Sequence, residues 1–373
     1  MSTRAVAAAA PRRASPQPLI WFATGCLLLI GLVMILSASS VEAYKQYGSS
    51  FLFFKKQSIG AVAGLAGMFL ASRINYRILR AAARPMFVVC ILLLIAVLIP
   101  GVGVRRGGSS RWIDLGPVAF QPSEFAKLAV IVFAAMILEN RKDRMRDFKS
   151  MAIPVLPATG IIAVLVMAQP DLGTTIICAG CVFTVIFLAG ARVGHIGALA
   201  AAGFTGVFAL ALTEGYRRAR LFSFLNPWAD PLNTGYHIIQ GQIALGSGGW
   251  FGVGLGASRQ KWSYVPNAHT DFLFAILGEE LGLAGTLAVL VLFGLLLFLT
   301  AGVARNAPDR FGTLLAGGVT GWIGLQTLIN MGAVSGLLPI TGVPLPLMSF
   351  GGSSLVFTMT ALGLVLSVAA RSR

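Results

Sequence analysis

Long apolar runs alternate along this chain with short polar breaks rich in glycine and proline. A helix needs about 20 apolar residues to cross a bilayer's hydrocarbon core. Runs of that order lie at 18–40, 57–74, 84–102, 122–140, 151–169, 171–190, 194–213, 271–303, 311–336 and 351–370. The pattern predicts an all-α polytopic membrane protein of about ten transmembrane helices. Pro100 interrupts the third run, and Pro154 and Pro157 interrupt the fifth. Residues 1–17, "MSTRAVAAAAPRRASPQ", read as a disordered cytoplasmic tail, and the stretch behind them as an uncleaved first helix, too long for a signal-peptide core. Residues 18–373 then form a single transmembrane domain, interrupted by one large loop over 214–270.

Composition sharpens this. Apolar residues make up 56% and charged residues 11% of the chain, whereas a soluble domain carries about 25% charged residues. The net charge of +16 does not signal nucleic acid, because apolar runs separate the cations. Lys and Arg concentrate in "SRINYRILRAAARP", "ENRKDRMRDFKS" and the two tails. By the positive-inside bias these segments are cytoplasmic, as are both termini. Cys26, Cys90, Cys178 and Cys181 all fall inside apolar runs, so the CxxC spacing of the last two reads as helix packing. His195, His237 and His269 have no metal-ligand spacing. On the second helix, Gly60-xxx-Gly64 fits a close helix contact.

Under this topology the fourth, sixth and eighth helices begin on the outer side, with "QPSEFAK", "QPDLGTT" and "HTDFLFA". Each opening holds one acid: Glu124, Asp171 or Asp271. An acid at a helix start satisfies free N–H groups and the positive dipole end, worth roughly 0.3–1 kcal/mol at exposed sites. Three such mouths on one face, beside basic loops, point beyond capping, since ionisable groups at membrane depth are costly and usually functional. Lys127, one turn below Glu124, either pairs with Glu124 or Asp171 or snorkels to the headgroups. The loop over 214–270 is aromatic and basic and contains the amphipathic "YHIIQGQIAL", so it is expected to pack on the membrane surface. Asp271 then sits at the lip of a roofed cavity. A carboxylate there, ionised by the dipole and made more basic by desolvation, suits a general base. On an ideal helix Glu280 faces the side opposite Asp271 and Glu279 lies nearly a right angle from it, so both are free to contact neighbouring helices. "GVGLG" at 252–256 reads as a flexible loop, and "PITGVPLPLMSFGG" at 339–352 as a stiff non-helical segment beside the cavity.

Five ordered stretches carry a family resemblance over essentially the whole chain. They are "SSRWIDLGPVAFQPSEFAKLA", "QPDLGTT", "NPWADPLNTGYHIIQ", "PNAHTDFLFAILGEELG" and "GLLPITGVPLPLMSFGGSS". The sequence resembles the SEDS (shape, elongation, division and sporulation) family, and its FtsW branch more than its RodA branch. The resemblance implies a ten-span peptidoglycan glycosyltransferase that polymerises lipid II, a polyprenyl pyrophosphate-linked glycan, outside the cytoplasmic membrane. It implies a class B penicillin-binding protein (a transpeptidase) as partner, within divisome or elongasome assemblies. It also implies Asp271 as the essential aspartate, with Glu124, Lys127 and Asp171 as a supporting charged cluster. The pyrophosphate would be held by outer cations, with Arg111, Arg217, Arg218, Arg259 and Lys261 as candidates. A divalent cation, Mg or Mn, could bridge it, though no ligand cluster demands one.

Two other classes compete. A lipid II flippase or other transporter would use Glu124, Lys127 and Asp171 as a coupling site, but no inverted repeat or matched pair of broken helices is visible. A non-catalytic scaffold activating a transpeptidase would be indifferent to Asp271.

Overall fold

The computed structural model describes residues 15–106, 109–114, 119–141, 147–262 and 268–372. Most of the expected tail therefore lies outside the described residues. Ten helices occupy the ten apolar runs. They are α1 (Gln17–Tyr47), α2 (Leu52–Arg73), α3 (Ile78–Ala96), α4 (Pro122–Leu138), α6 (Leu156–Met167), α7 (Leu172–Leu188), α8 (Val193–Thr213), α11 (Leu273–Arg305), α12 (Arg310–Val334) and α13 (Gly352–Arg371). Six of them, α1, α3, α8, α11, α12 and α13, are long and apolar enough to cross a membrane by themselves. In the fifth run, Pro154 lies between a short α5 (Phe148–Ala152) and α6, and Pro157 sits in the first turn of α6. A proline cannot donate to the preceding turn, so one long helix cannot run through.

The bundle closes on small residues. On α2, Gly60 faces Gly352, Gly64 faces Met359 and Gly67 faces Thr360, while on α13 Gly363 faces the backbone of Met68. Lipid tails are as apolar as the helices, so close backbone packing of this kind drives their association. At one end, Asp309 caps α12 by accepting the Gly312 N–H (2.8 Å) and also accepts from the Tyr76 hydroxyl and Arg77 Nε.

The opposite end is rich in loops and holds two features that the apolar pattern did not predict. Between α3 and α4 lies an antiparallel sheet of β1 (Gly103–Arg106), β2 (Ser109–Asp114) and β3 (Ala119–Phe120), with Gly103 opposite Ile113 and Ile113 opposite Phe120. The segment expected as an irregular loop over 214–270 instead folds into α9 (Gly215–Leu225), a 3-10 turn at Pro227–Ala229 and α10 (Tyr236–Ser247). Ile238, Ile239, Gly241 and Ala244 of α10 are buried, and Gly241 packs against Phe272, so this amphipathic stretch docks on the bundle as well as facing outward.

Candidate active site

Asp271 lies two residues before α11, whose N-terminal flank is Phe272. It is therefore not in the first helical turn, and the expectation that the helix dipole holds it ionised gives way to a tertiary arrangement. Its carbonyl accepts from Asn330 Nδ2 on α12 (2.8 Å), and the same amide donates to the Val343 carbonyl (2.8 Å). One side chain thus fixes both the turn that carries Asp271 and the segment after α12. Gly342, at φ +73°, brings its Cα against the carboxylate: an added Cβ would stand 3.5 Å from Asp271 Oδ2.

The Asp271 side chain opens into a small pocket of ≈ 40 Å³ lined by Arg220, Ser223, Thr234, His237, Phe272 and Ile340. Burial pushes its carboxyl up to about 6. The Arg220, His269 and Arg111 charges oppose that shift, and the Asp171 charge reinforces it. A carboxylate of this kind is ionised at neutral pH yet more basic than an exposed one. The same burial lowers the His237 imidazole below its usual range, with Arg220 adding to the effect.

Asp171 caps α7 as expected, accepting from the Thr174 N–H (3.0 Å) and hydroxyl (2.9 Å). Arg111 on β2 reaches the same turn. Its Nη1 is 3.6 Å from Asp171 Oδ2, and it donates to the carbonyls of Gln169 (3.0 Å) and Pro170. The sheet is what delivers this arginine.

Glu124 and Lys127 pair with each other on α4, at 2.7 Å, with both side chains almost fully buried. Lys127 does not snorkel. Its ammonium also donates to Gln326 Oε1 (3.0 Å) and stands 4.9 Å from the centre of the Trp322 ring. Gln326 Nε2 in turn donates to the Pro344 carbonyl (2.8 Å). The non-helical segment at 341–344 therefore collects all three acids. It is tied to the Glu124–Lys127 pair through Gln326 and to Asp271 through Asn330. It also packs on the mouth of α7, where Gly173 leaves no room for a Cβ beside Val343 and Thr341.

The structure divides the candidate cations. On α9, Arg217 is buried with its Nε donating to the Tyr216 hydroxyl (3.0 Å), and Arg220 lines the Asp271 pocket, while Arg218 is exposed. Lys261 and the backbone of Arg259 are held by the Glu279–Glu280 pair of α11. The Lys261 ammonium lies 3.5 Å from Glu280 and donates to the Gly256 carbonyl (2.6 Å), and the Arg259 N–H donates to Glu279 (2.9 Å). Glu280 also takes the Ser37 hydroxyl of α1 (2.6 Å), the helix contact expected of this acid pair. Sequence reasoning did not select Arg220, His237 or Asn330. The i, i+3 spacing of Arg217 and Arg220 would have placed both on one face, had α9 been recognised as a helix. Among the described residues, no group of three or more His, Cys, Asp or Glu side chains could hold a metal ion.

Below this end, α6, α7 and α8 enclose an apolar groove of ≈ 490 Å³, lined by residues such as Ile176, Gly180, Phe183, Leu199 and Phe204.

Residues 17–373 match the family model of the FtsW, RodA and SpoVE cell cycle proteins. The chain is 43% identical to stage V sporulation protein E of Bacillus subtilis (strain 168), over 97% of this chain and 99% of that one. It is 44% identical to a probable peptidoglycan glycosyltransferase FtsW of Thioalkalivibrio sulfidiphilus (strain HL-EbGR7), over 92% and 86% respectively. A chain solved in a study of the structural coordination of polymerization and crosslinking by a peptidoglycan synthase complex superposes with a TM-score of 0.79 at 31% identity, covering 96% of this chain and 99% of that chain. The rod shape determining protein RodA of Thermus thermophilus superposes at 0.71, also at 31% identity, over 97% and 98%.

Proposed function

This chain belongs to the FtsW, RodA and SpoVE family of integral membrane proteins, and from that premise we propose that it is an inverting peptidoglycan glycosyltransferase, FtsW-like, which polymerises lipid II. The observation that carries the proposal is the Asp271 carboxylate, raised to about 6 in a pocket edged by Arg220. In this reading Asp271 removes the proton from a sugar 4-hydroxyl as that oxygen attacks an anomeric carbon. A new glycosidic C–O bond forms, the bond to the polyprenyl pyrophosphate breaks with inversion, and the proton remains on Asp271. Arg220 and Arg111, the arginines whose charges act on Asp271, are placed to stabilise the departing pyrophosphate, with Arg217 one turn before Arg220 on α9. The groove between α7 and α8 suits a polyprenyl tail, and Glu124 with Lys127 braces the site from below. A divalent cation, Mg or Mn, would be shared with the pyrophosphate instead of held in a protein cage.

The loop-rich end faces the extracytoplasmic side in this reading, with both termini in the cytoplasm. The likeness to a chain from a peptidoglycan synthase complex supports a class B penicillin-binding protein as partner. The test is lipid II polymerisation by the purified chain with such a partner and a transpeptidase inhibitor. Wild type should make glycan strands, and Asp271→Asn none while retaining its fold and its partner. No strands from intact, partner-bound wild type would favour a flippase or scaffold. Equal strands from both would remove Asp271 from the mechanism.

A further inference from the structure

Residues 248–257, which contain the 252–256 stretch that reads as a flexible glycine loop, are spliced into α11. At Gly282 the helix breaks, with φ +67° and ψ −163°, a conformation open only to glycine. In a continuous helix the Glu279 and Glu280 carbonyls would accept from the Leu283 and Ala284 N–H groups. Here they accept instead from Val253 (3.0 Å) and Gly254 (3.1 Å) of the loop. The Leu283 and Ala284 N–H groups donate to the loop carbonyls of Gly249 (2.9 Å) and Trp250 (3.0 Å). Both ends of two missing helix bonds are thus satisfied by one segment. Gly248 and Gly252 make the approach possible, since a Cβ on either would collide with the backbone at Gly278 or Glu280. The side following the splice is fixed as well. Glu279 accepts the Ser258 hydroxyl and the Arg259 and Gln260 N–H groups, and Glu280 holds Lys261.

Fastened in this way, the segment turns its large apolar side chains outward. Phe251 is 85% exposed and Trp250 72%, with Val253, Leu255 and Trp262 exposed beside them. The patch continues the exposed face of α11 formed by Leu283, Leu287, Leu290 and Val291. Ala284, bonded to the Trp250 carbonyl, lies 21 residues before Arg305, which ends the helix and carries its charge. At 1.5 Å per residue that is about 32 Å, close to the ~30 Å of a hydrocarbon core. The patch is therefore level with the boundary between acyl chains and headgroups at the loop-rich end, where Trp side chains are favoured. Residues 248–257 contain no charged side chain, and the exposed Arg259 just beyond them can meet lipid phosphate.

We propose that residues 248–257 are a membrane-docking hairpin whose occupant is phospholipid, with Trp250 and Phe251 inserted among acyl chains at the bilayer boundary. Because the hairpin is also part of α11, the same lipid contact steadies the short helix Leu273–Leu281 that follows Asp271. The proposal rests on the placement of the chain in a membrane and not on the reaction assigned above.

The experiment places p-benzoylphenylalanine singly at positions 250 and 251 of the full chain, in vesicles of phosphatidylethanolamine and phosphatidylglycerol. Phe298, exposed in the middle of α11, and Asn233, an exposed polar residue in the loop before α10, serve as acyl-chain and solvent references. Each variant is irradiated with and without a class B partner, after gel filtration shows that it elutes as wild type does. Phospholipid adducts at 250 and 251 with yields matching position 298, and well above position 233, are the expected result in both conditions. Yields no higher than at 233 would place the hairpin in water and overturn the proposal. Lipid adducts replaced by protein adducts when the partner is present would assign the patch to the partner and overturn it too.

Discussion

If Asp271 is the base, the rate of polymerisation carries its titration. With the carboxyl raised from 3.8 to about 6, roughly a tenth of the protein holds it ionised at pH 5 and about nine tenths at pH 7. The initial rate at low lipid II concentration should therefore fall about tenfold from its plateau on going to pH 5. The neighbours give the limb a signature that an unrelated group would not reproduce. Arg220 is the charge that most strongly opposes the burial shift, and Asp171 is one that adds to it. Arg220→Gln should move the limb to higher pH, and Asp171→Asn, which keeps a capping oxygen on α7, should move it lower. The limb's position is read, not the height of the plateau, because Arg220 also faces the leaving group in this mechanism. A limb near the ordinary carboxylate value of about 4, or one that neither substitution moves, would refute the reasoning.

The same shift has a stability consequence of fixed sign. A carboxyl whose folded pKa lies above its unfolded value favours the folded state when protonated, and that contribution is lost as pH rises from about 4 to about 6. Two units correspond to about 3 kcal/mol at 1.36 kcal/mol each. Partial exposure of the side chain reduces the expected effect to roughly 1–3 kcal/mol. Asp271→Asn should therefore melt higher than wild type at pH 7.5 and show little difference at pH 4. A mutant less stable at both would mean that the carboxylate holds the site together instead of straining it.

Three further substitutions probe the surrounding structure. Lys127→Met leaves Glu124 buried without its cation and should cost about 3–5 kcal/mol, most of it regained in the Glu124→Gln/Lys127→Met double variant; thermal unfolding in detergent compares them, and equal losses would deny the pair its coupling. Gly282→Ala forces a Cβ to within 2.4 Å of the Gly252 nitrogen at a left-handed φ, so a loss of at least about 1–3 kcal/mol is expected in the same assay, and a neutral result would argue against the splice. Lys261→Met removes the ammonium beside Glu280 and should lower stability without raising KM for lipid II, whereas a raised KM with unchanged stability would restore Lys261 to the pyrophosphate site.

The ten helices were legible because membrane spans announce themselves by run length, and the two interrupted runs were legible from proline. The acids stand out in the sequence because an acid at a helix mouth is a local pattern, and Glu124 and Asp171 lie where that pattern puts them. The reasoning that singled out Asp271 put it in the first turn of its helix. The apolar run suggested that its helix begins at 271, but α11 begins at Leu273, and the carboxylate is governed by pocket walls drawn from α9, α10 and the segment after α12. Those walls are far apart in sequence, and no periodicity connects Arg220, His237 and Ile340. The cations show the same limit. Charge and loop position put Lys261 among the pyrophosphate candidates and left Arg220 out, yet Lys261 pairs with Glu280 and Arg220 lines the Asp271 pocket. What separates them is the break at Gly282. It fastens the 248–261 segment to α11, and with it Lys261, leaving α9 to supply arginines to the site. A glycine in the run "GEELGLAG" looks like ordinary helix packing until the partner for its two displaced backbone bonds is known. That partner lies about thirty residues upstream, in the stretch whose glycines made it read as flexible.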